Sequence, residues 1–467
     1  MKVPIIGIGQ VGKSSNVTSQ SRNNLYMDIQ PQEDKTQVSL HSRPGLSLFT
    51  TFGDSPIRGM LPVGSLLYVV HRGTFWEVNN AGTKTSRGTI STTSGRVAMA
   101  ANQGGQVMIT DGTAGYTYTI ATTTLAVISD GDYIDAATTV VYHDGYFIVE
   151  KPNTAQFYIS SADDGTAWDA TDFATAEKSP DNLVRVFDNT TEILLLGDDS
   201  IEWWNNTGAA DFPYERLSGG VAEIGLEAKW SVARFSDSSI CMLASNREQG
   251  DVKVIKIEGY QYVTISNSEI DSIFNEYTTS DATAFSYNFQ GHPFYQLNFP
   301  TDMKSWLYDG LTNLWSEVSY GSNGARHRAE IGVNFLGKSY VSDYENGNVY
   351  EQQANLYTDN GVPFAAEVIG RHIFDEKPVQ ISRLWVDVET GVGTEQGAGV
   401  APTMTLAISK NSGKTYGNEK EASIGAIGEY STRCMFRRLG RGYNWTFKLR
   451  ITDPVKRVFL GAWVNTI

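Results

Sequence analysis

Residues Val186–Trp204 read VFDNTTEILLLGDDSIEWW, and this segment carries the pattern on which the fold prediction rests. Short runs rich in β-branched, apolar and aromatic residues alternate with turns of Asn, Asp and Gly, as is typical of strands joined by hairpins. Apolar residues with helical spacing are almost absent from the chain. The sequence therefore predicts an all-β protein.

Similar units recur on both sides of this segment. Their starts are separated by 39 to 52 residues and lie near Ile57, Arg96, Thr138, Leu183, Ser231, Thr283 and Glu330. A period of about 40–50 residues with several strands per unit is typical of a β-propeller. We predict about seven blades over residues 51–355, with six or eight also allowed. The alternative is a pair of sandwiches with evenly spaced hairpins, because no WD or kelch signature marks the units.

The pattern changes after residue 355 to longer, regular alternation. Trp445, Phe447, Leu449 and Ile451 alternate with polar residues, which predicts a half-buried antiparallel sheet. We therefore expect a C-terminal β-sandwich over residues 356–467. The polar, turn-rich residues 1–50 predict an N-terminal extended arm.

One short helix is expected in this all-β chain. Apolar residues fall on one helical face between Ser268 and Tyr277. Ser268 and Asp271 form a capping-box pattern at its start. The sequence therefore predicts a helix capped by Ser268.

Composition limits the function classes. The 467 residues contain 37 Lys and Arg against 52 Asp and Glu, a formal net charge of −15. This balance argues against a surface that grips nucleic acid or an anionic membrane. Two cysteines cannot build a disulfide framework or a four-thiolate zinc site within one chain. Apolar runs are too short for a membrane helix or a signal peptide, so we expect synthesis in a cytoplasm and no membrane insertion.

The N-terminal region contains a phosphate-loop pattern. Gly7, Gly12, Lys13 and Ser14 satisfy GxxxxGK[ST], and Gly7, Gly9 and Gly12 satisfy GxGxxG. Both motifs hold phosphates only between a strand and the start of a helix. The following SSNVTSQSRNN has no apolar helical face. We therefore predict no nucleotide site.

Two segments resemble the Asp-box of sialidase-type propellers. They consist of Ser161, Asp163, Gly165 and Trp168, and of Ser409, Asn411, Gly413, Thr415 and Tyr416. In that family the box is structural: a polar side chain caps a hairpin turn, a Gly takes positive φ and an aromatic ring packs beneath. A glycan-binding or sialidase-like propeller is the alternative function. A glycosidase needs two positioned acids, and the sequence singles out no such pair.

Other catalytic patterns are missing from the sequence. No zinc-binding spacing and no G-x-S-x-G nucleophile elbow occurs, and neither Cys241 nor Cys434 stands beside a recognisable base. The histidines are scattered at His41, His71, His143, His292, His327 and His372. We therefore expect a protein that is not an enzyme, with no catalytic residue, no cofactor and no metal.

One segment is strongly basic. Residues Arg433–Arg457 carry a net charge of +7, which leaves −22 on the rest of the chain. The candidate partner-interface face comprises Arg433, Arg437, Arg438, Arg441, Lys448 and Arg450. Such a face suits an acidic neighbour, for example another copy of the chain. A solvated sheet face is an equally good interpretation.

Five segments together resemble one protein family. They are NNLYMDIQ with SRPGL, NTTEILLLGDDSIEWWNNTG, GGVAEIGLEAKWSV, SEIDSIFNEY, and the C-terminal run from SKNSGKTYG to RVFLGAW. Their order along the chain is similar to that in the packaged-DNA stabilisation proteins, the tail hub family of short-tailed (podovirus) phages.

The resemblance implies a structural role in the virion tail. Six copies would form a ring below the portal and adaptor rings, extend the DNA channel, carry tail spikes or fibres and a plug or needle, and close the filled head. Partners would include the portal-side adaptor and genomic DNA that passes without sequence-specific binding. The family offers no catalytic residues to assign. We expect the acidic remainder to flank the channel, the basic segment to meet a partner, and the free chain to stay monomeric until an adaptor ring templates it.

Overall fold

The computed structural model describes residues 2–3, 5–7, 20–30, 37–176, 181–246 and 250–466. These residues form a β-propeller, a C-terminal β-sandwich and one short α-helix. The predicted fold class is confirmed. The phosphate-loop residues Gly9, Gly12, Lys13 and Ser14 lie outside the described residues.

Six blades are each built from one continuous segment. Five short strands precede them: β1 (Lys2–Val3), β2 (Ser21–Asn23), β3 (Leu25–Ile29), β4 (Val38–Ser42) and β5 (Gly45–Thr51). Blade 1 contains β6 (Ile57–Val63), β7 (Leu66–His71), β8 (Thr74–Val78) and β9 (Lys84–Thr89). Blade 2 contains β10 (Ala98–Ala101), β11 (Gln106–Thr110), β12 (Gly115–Thr119) and β13 (Thr124–Val127). Blade 3 contains β14 (Val140–His143), β15 (Tyr146–Glu150), β16 (Gln156–Ser161) and β17 (Asp164–Thr175). Blade 4 contains β18 (Leu183–Asp188), β19 (Ile193–Gly197), β20 (Ile201–Asn206) and β21 (Tyr214–Ala222). Blade 5 contains β22 (Gly225–Leu226), β23 (Ala233–Ser236), β24 (Ser239–Ser245), β25 (Val252–Glu258) and β26 (Gln261–Thr264). Blade 6 contains β27 (Thr283–Phe289), β28 (His292–Phe299), β29 (Lys304–Asp309) and β30 (Leu314–Glu317).

A seventh, composite blade closes the ring. After the small hairpin of β31 (Ser319–Tyr320) and β32 (Ala325–Arg326), it takes β33 (Ala329–Phe335), β34 (Lys338–Asp343) and β35 (Asn348–Gln353) from the C-terminal side. Its fourth strand is β5, which pairs antiparallel with β35. A Cβ at Gly45 would lie 2.3 Å from the backbone oxygen of Leu356, so only glycine fits where this strand begins. The propeller thus has six blades of continuous sequence, against about seven predicted, and the composite blade of β33–β35 and β5 completes the ring.

Packing between neighbouring blades explains the apolar run Ile193–Leu196 of strand β19. Leu194 and Leu196 of β19 pack with blade 5, whereas Ile193 and Leu195 pack toward blade 3. All four side chains are buried, because a middle strand of a blade is covered on both faces. The strand therefore reads as ILLL without alternation.

The single helix, α1, spans Ser268–Phe274 and packs Ile270 and Phe274 against blades 5 and 6. The prediction that Ser268 caps it is wrong. Asn267 is the N-cap residue: its backbone is extended and its Oδ1 accepts a hydrogen bond from the Ile270 amide at 3.0 Å. Asn and Ser are equally good N-cap residues, so the extended backbone of Asn267 decides which of the two neighbours caps the helix.

The cap supplies a first testable prediction. We expect Asn267→Ala to lower the free energy of unfolding by about 1 kcal/mol, because one amide of the first turn loses its acceptor. The matched control is Ser268→Ala, whose exposed hydroxyl donates to its neighbour Glu269. Chemical denaturation measures both variants, and an equal loss in the two would contradict Asn267 as the cap.

The sandwich follows the propeller. Two short strands, β36 (Thr358–Asp359) and β37 (Val362–Pro363), first extend the sheet of the composite blade beyond β5. The sandwich elements that follow are β38 (Ala366–Ile369), β39 (Ile373–Val388), the 3₁₀ turn Gly397–Gly399, β40 (Thr403–Ser409), β41 (Lys420–Ser423), β42 (Cys434–Ile451) and β43 (Val458–Thr466). The long strand β42 pairs with β39 along its first part and with β38 and β40 along its second part. As the alternation predicts, Trp445, Phe447, Leu449 and Ile451 are buried in the sandwich core. Thr446, expected outside, is also buried, and its hydroxyl lies 2.6 Å from His372 Nδ1.

The described strands of residues 1–50 pair with strands of both domains, which corrects the expectation of an extended arm. The strands β1, β3 and β4 belong to the sandwich sheet that contains β43, and β5 belongs to the propeller. Strand β2 pairs with β38 of the sandwich and with β30 of blade 6, so blade 6 and the sandwich share one sheet of 14 strands. The boundary expected at residue 50 falls inside β5. Polar, turn-rich sequence hides these strands because each is short.

Candidate functional site

The first Asp-box forms the β16–β17 hairpin turn of blade 3. Asp163 has positive φ, and the carboxylate that caps the turn is that of Asp164, which accepts from the Thr166 amide at 3.0 Å. Trp168 is buried, and its indole nitrogen donates to the Gly165 carbonyl at 3.0 Å. The aromatic ring therefore packs as expected. The capping carboxylate is Asp164 in place of Asp163, and the residue with positive φ is Asp163 in place of Gly165.

The second Asp-box lies in the sandwich and has the expected geometry. Asn411 Oδ1 accepts from the Thr415 amide at 3.0 Å, and Gly413 has φ of 80°. Ser409 Oγ accepts from the Gly413 amide at 2.9 Å. Both boxes therefore build hairpin turns, and these contacts use the polar groups of the motif for structure.

The histidines and cysteines serve packing and hydrogen bonding. His143 bonds Tyr214, and His292 bonds Asp309, both through buried side chains. Both cysteines are buried free thiols, and burial raises the pKa of Cys434 to about 12. Within the described ranges, no three His, Cys, Asp or Glu side chains come together as metal ligands, and no helix is long and apolar enough to cross a membrane.

The structure divides the basic segment. Arg433, Arg437, Arg438 and Arg441 are exposed along the first half of β42. Lys448 and Arg450 are half-buried and engaged within the chain: Lys448 lies 3.8 Å from Glu367, and Arg450 donates to the Ser322 carbonyl. The candidate face thus retains four of its six residues in the open.

Two further basic residues of the segment, Lys456 and Arg457, are also engaged within the chain. Lys456 pairs with Glu389 at 2.8 Å. Arg457 is buried where the two domains meet, with its guanidinium 4.7 Å from the Phe364 ring centre. Burial and the nearby Arg43 lower the pKa of Arg457. The net charge of +7 is therefore not presented on one face.

Pairing of β39 with β42, and of β43 with β39, adds residues that the basic segment does not contain. Arg383 lies directly opposite Arg437, and Trp385 lies opposite both Met435 and Trp463. The two indoles are half-exposed and stack with ring centres 4.7 Å apart. We call this outward surface the basic–aromatic face; it comprises Arg383, Trp385, Arg433, Met435, Arg437 and Trp463.

The basic–aromatic face has the composition of a protein contact. Arg, Trp and Met are enriched in interfaces, where Arg binds carboxylates through its fork and stacks on rings. The sequence carried one signal for it: Trp385 stands at an outward position between buried Leu384 and Val386. Its pairing with Trp463 and Arg437 is decided by strand register.

Comparison with known protein families gives an independent observation for both domains. A family model described as the β-propeller of bacteriophage P22 Gp10 matches residues 1–356. A second, described as the β-sandwich of the same protein, matches residues 366–466. The chain belongs to the P22 Gp10 family. This family comprises structural tail hub and packaged-DNA stabilisation proteins of podophages, so the chain is a component of the virion tail.

Other comparisons are less informative than the P22 Gp10 family match. No curated protein matches the sequence. Among solved structures, the computationally designed Ika8 protein is 12% identical, with a TM-score of 0.41, 76% of this chain covered and 100% of that chain. The WD40 propeller of Doa1 (12% identity, TM-score 0.43, 66% and 98% covered) and streptogramin B lyase (10%, 0.47, 67% and 98%) are similar to the same degree. Likenesses this low carry no argument about function.

Proposed function

We propose that this chain is the subunit of a hexameric tail hub, a ring that extends the DNA channel below the portal and adaptor and closes the filled head. Tail spikes or fibres and a plug or needle attach to it, and the ring assembles in the host cytoplasm. The observation that carries the proposal is the match of both domains, in order, to one phage tail family.

The strand pairing between the two domains supports a structural role. The propeller ring is closed by β5, and the sandwich is joined to blade 6 through a shared sheet. Such a subunit transmits force as one unit, because separating the domains breaks strand pairing. The acidic remainder of the chain flanks the channel. Because Lys and Arg side chains bind DNA phosphates, an acidic wall makes fewer contacts that would slow the moving duplex.

The basic–aromatic face is proposed as the contact with an acidic surface of the neighbouring copy in the ring. Exposed Arg383, Arg433 and Arg437 supply the charge, and the stacked tryptophans supply apolar area. Opposite charge steers the encounter and sets the register, while buried aromatic rings supply affinity. The ring should therefore form less readily as salt is raised.

DNA retention tests the function directly. Filled heads that carry portal and adaptor, but lack this protein, are incubated with the purified chain and then with DNase. We expect DNA to stay protected only when the chain is added. Unchanged leakage would overturn the proposal. A turnover assay with sialosides and host polysaccharide accompanies it, and measurable turnover would contradict a purely structural role.

Charge reversal tests the proposed contact. We expect Arg383→Glu combined with Arg437→Glu to weaken ring formation on the adaptor at least tenfold, because like charges then face each other. The control combines Lys414→Glu with Lys420→Glu, which makes the same charge change at exposed positions on another edge of the sandwich. Native mass spectrometry with and without adaptor gives the copy number, and equal assembly of both variants would exclude this face.

A further inference from the structure

A cavity of about 420 Å³ lies at the centre of the propeller. The innermost strands of all seven blades contribute to its wall, from Gly59 and Met60 of blade 1 to Ile331 and Val333 of blade 7. Sites for small ligands span roughly 300–1,000 Å³. The cavity is therefore suited to a small group.

Two arginines from different blades meet in this cavity. Arg96 precedes β10 of blade 2, and Arg185 lies on β18 of blade 4. Between them stands Trp230, which precedes β23 of blade 5. The guanidinium carbons lie 4.6 Å and 5.0 Å from its ring centre. The indole therefore holds both cations at one place.

Neither guanidinium is neutralised by a carboxylate. Among the described residues, no ion pair includes Arg96 or Arg185, and the buried Nη1 of Arg96 and Nε of Arg185 have no hydrogen-bond acceptor. The carboxylates of Glu330 and Glu150 raise the pKa of Arg96 and of Arg185, respectively, but both carboxylates are bound by other groups. Glu150 accepts from the amides and hydroxyls of Thr138 and Thr139, and Glu330 pairs with Arg326.

The other charged groups of the wall do not change this balance. Arg234 is bound to Asp188 at 2.9 Å, and Asp237 is exposed. Burial lowers the pKa of both Arg96 and Arg185, and Arg96 lowers that of Arg185 further. Arginine nevertheless stays protonated at neutral pH, so the cavity holds two unneutralised cations. Uncompensated charge at a half-buried site is costly, whereas an anion there would be bound by both guanidinium groups.

We propose that the axial cavity is an oxyanion site, in which Arg96 and Arg185 hold a carboxylate or phosphate group beside the Trp230 ring. Planar guanidinium groups match both anions through paired N–H donors, and the unpartnered nitrogens supply such donors. The site is independent of the proposed assembly role, since its residues lie inside a single propeller.

Calorimetry and thermal unfolding test the site on the full chain. Inorganic phosphate and citrate represent the two sources of oxyanion, and sodium chloride at equal ionic strength is the reference. We expect phosphate or citrate to bind and to raise Tm, and which of the two binds more tightly identifies the source. Each of Arg96→Gln and Arg185→Gln should weaken binding at least tenfold, with Tm in chloride unchanged or higher, because one of two repelling cations is gone.

The control combines Arg433→Gln with Arg437→Gln, which removes two exposed arginines outside the cavity. We expect it to bind the oxyanion as the unmodified chain does. Equal responses to chloride and oxyanion would overturn the proposal, and so would retained binding in the cavity variants. A lower Tm of those variants in chloride, with binding intact, would show that the arginines only support Trp230. The two single variants are independent, so one that fails to fold leaves the other as the test.

Discussion

Asp359→Asn is expected to lower the free energy of unfolding by about 3–5 kcal/mol, because it leaves the buried guanidinium of Arg43 without its counter-ion. The two side chains are only 2% and 1% exposed, with Arg43 Nη2 2.7 Å from Asp359 Oδ2 and Arg43 Nη1 2.9 Å from Asp359 Oδ1. The remaining donors of Arg43 bond Asn24, Pro44 and Ser319. All five N–H groups are thus satisfied.

This pair lies where three parts of the chain meet. Arg43 follows β4 of the sandwich sheet, Ser319 follows blade 6, and Asp359 on β36 pairs with β5 of the composite blade. The Arg43 guanidinium also stacks 3.8 Å from the Phe364 ring centre. Loss of the carboxylate should therefore loosen the junction of propeller and sandwich as well as lower stability.

The control is Arg72→Ala, which breaks the ion pair with Asp54 on blade 1, where the side chains are 54% and 88% exposed. We expect a loss of less than about 1 kcal/mol there, since water solvates both partners. Denaturant unfolding followed by tryptophan fluorescence measures both variants, and limited proteolysis reports opening between the domains. Similar small losses in the two variants would show that the buried pair does not hold the junction.

Leu46→Ala is expected to cost about 2–5 kcal/mol, the range for truncating a buried leucine. Leu46 lies on β5, the strand that closes the propeller, and its side chain is 1% exposed among the aromatic residues of blades 6 and 7. The cavity left by truncation falls at the ring closure. We therefore expect the composite blade to open first, with new proteolytic cleavage between β5 and β6.

The same strand offers a matched control. Leu48 is 46% exposed, and Leu48→Ala makes the same chemical change on β5 with little lost burial. We expect a loss within about 0.5 kcal/mol. Denaturation curves of the two variants compare burial at fixed chemistry and strand position. Equal losses would show that strand propensity, and not closure of the ring, determines the effect.

Local patterns carried much of the fold. Turn residues between apolar runs repeat with the blade period, and the starts near Ile57, Leu183 and Thr283 coincide with β6, β18 and β27. Alternation from Trp445 to Ile451 placed one face of β42 in the core. These predictions succeeded because strand pairing within a blade and burial of one face of a sheet are written in neighbouring residues.

Contacts between segments that are distant in the chain could not be predicted from sequence patterns. The basic segment looked like one face, but Arg457 is buried at the junction and Lys448 pairs with Glu367. Exposed Arg437 instead lies opposite Arg383 of β39. A one-residue change in register would place other side chains there, and register is decided by which core residues are buried together.

The sequence by itself determined an all-β chain of repeated propeller blades followed by a sandwich, its acidic balance and its family, because each is a property of local periodicity, composition or ordered motifs. Only the tertiary structure decided that β5 closes the ring, that strands β1 to β5 pair with both domains, and that Arg96 and Arg185 meet at Trp230. The physical reason is that these contacts join residues far apart in sequence. They form only when burial of the shared core outweighs the entropy of closing long loops.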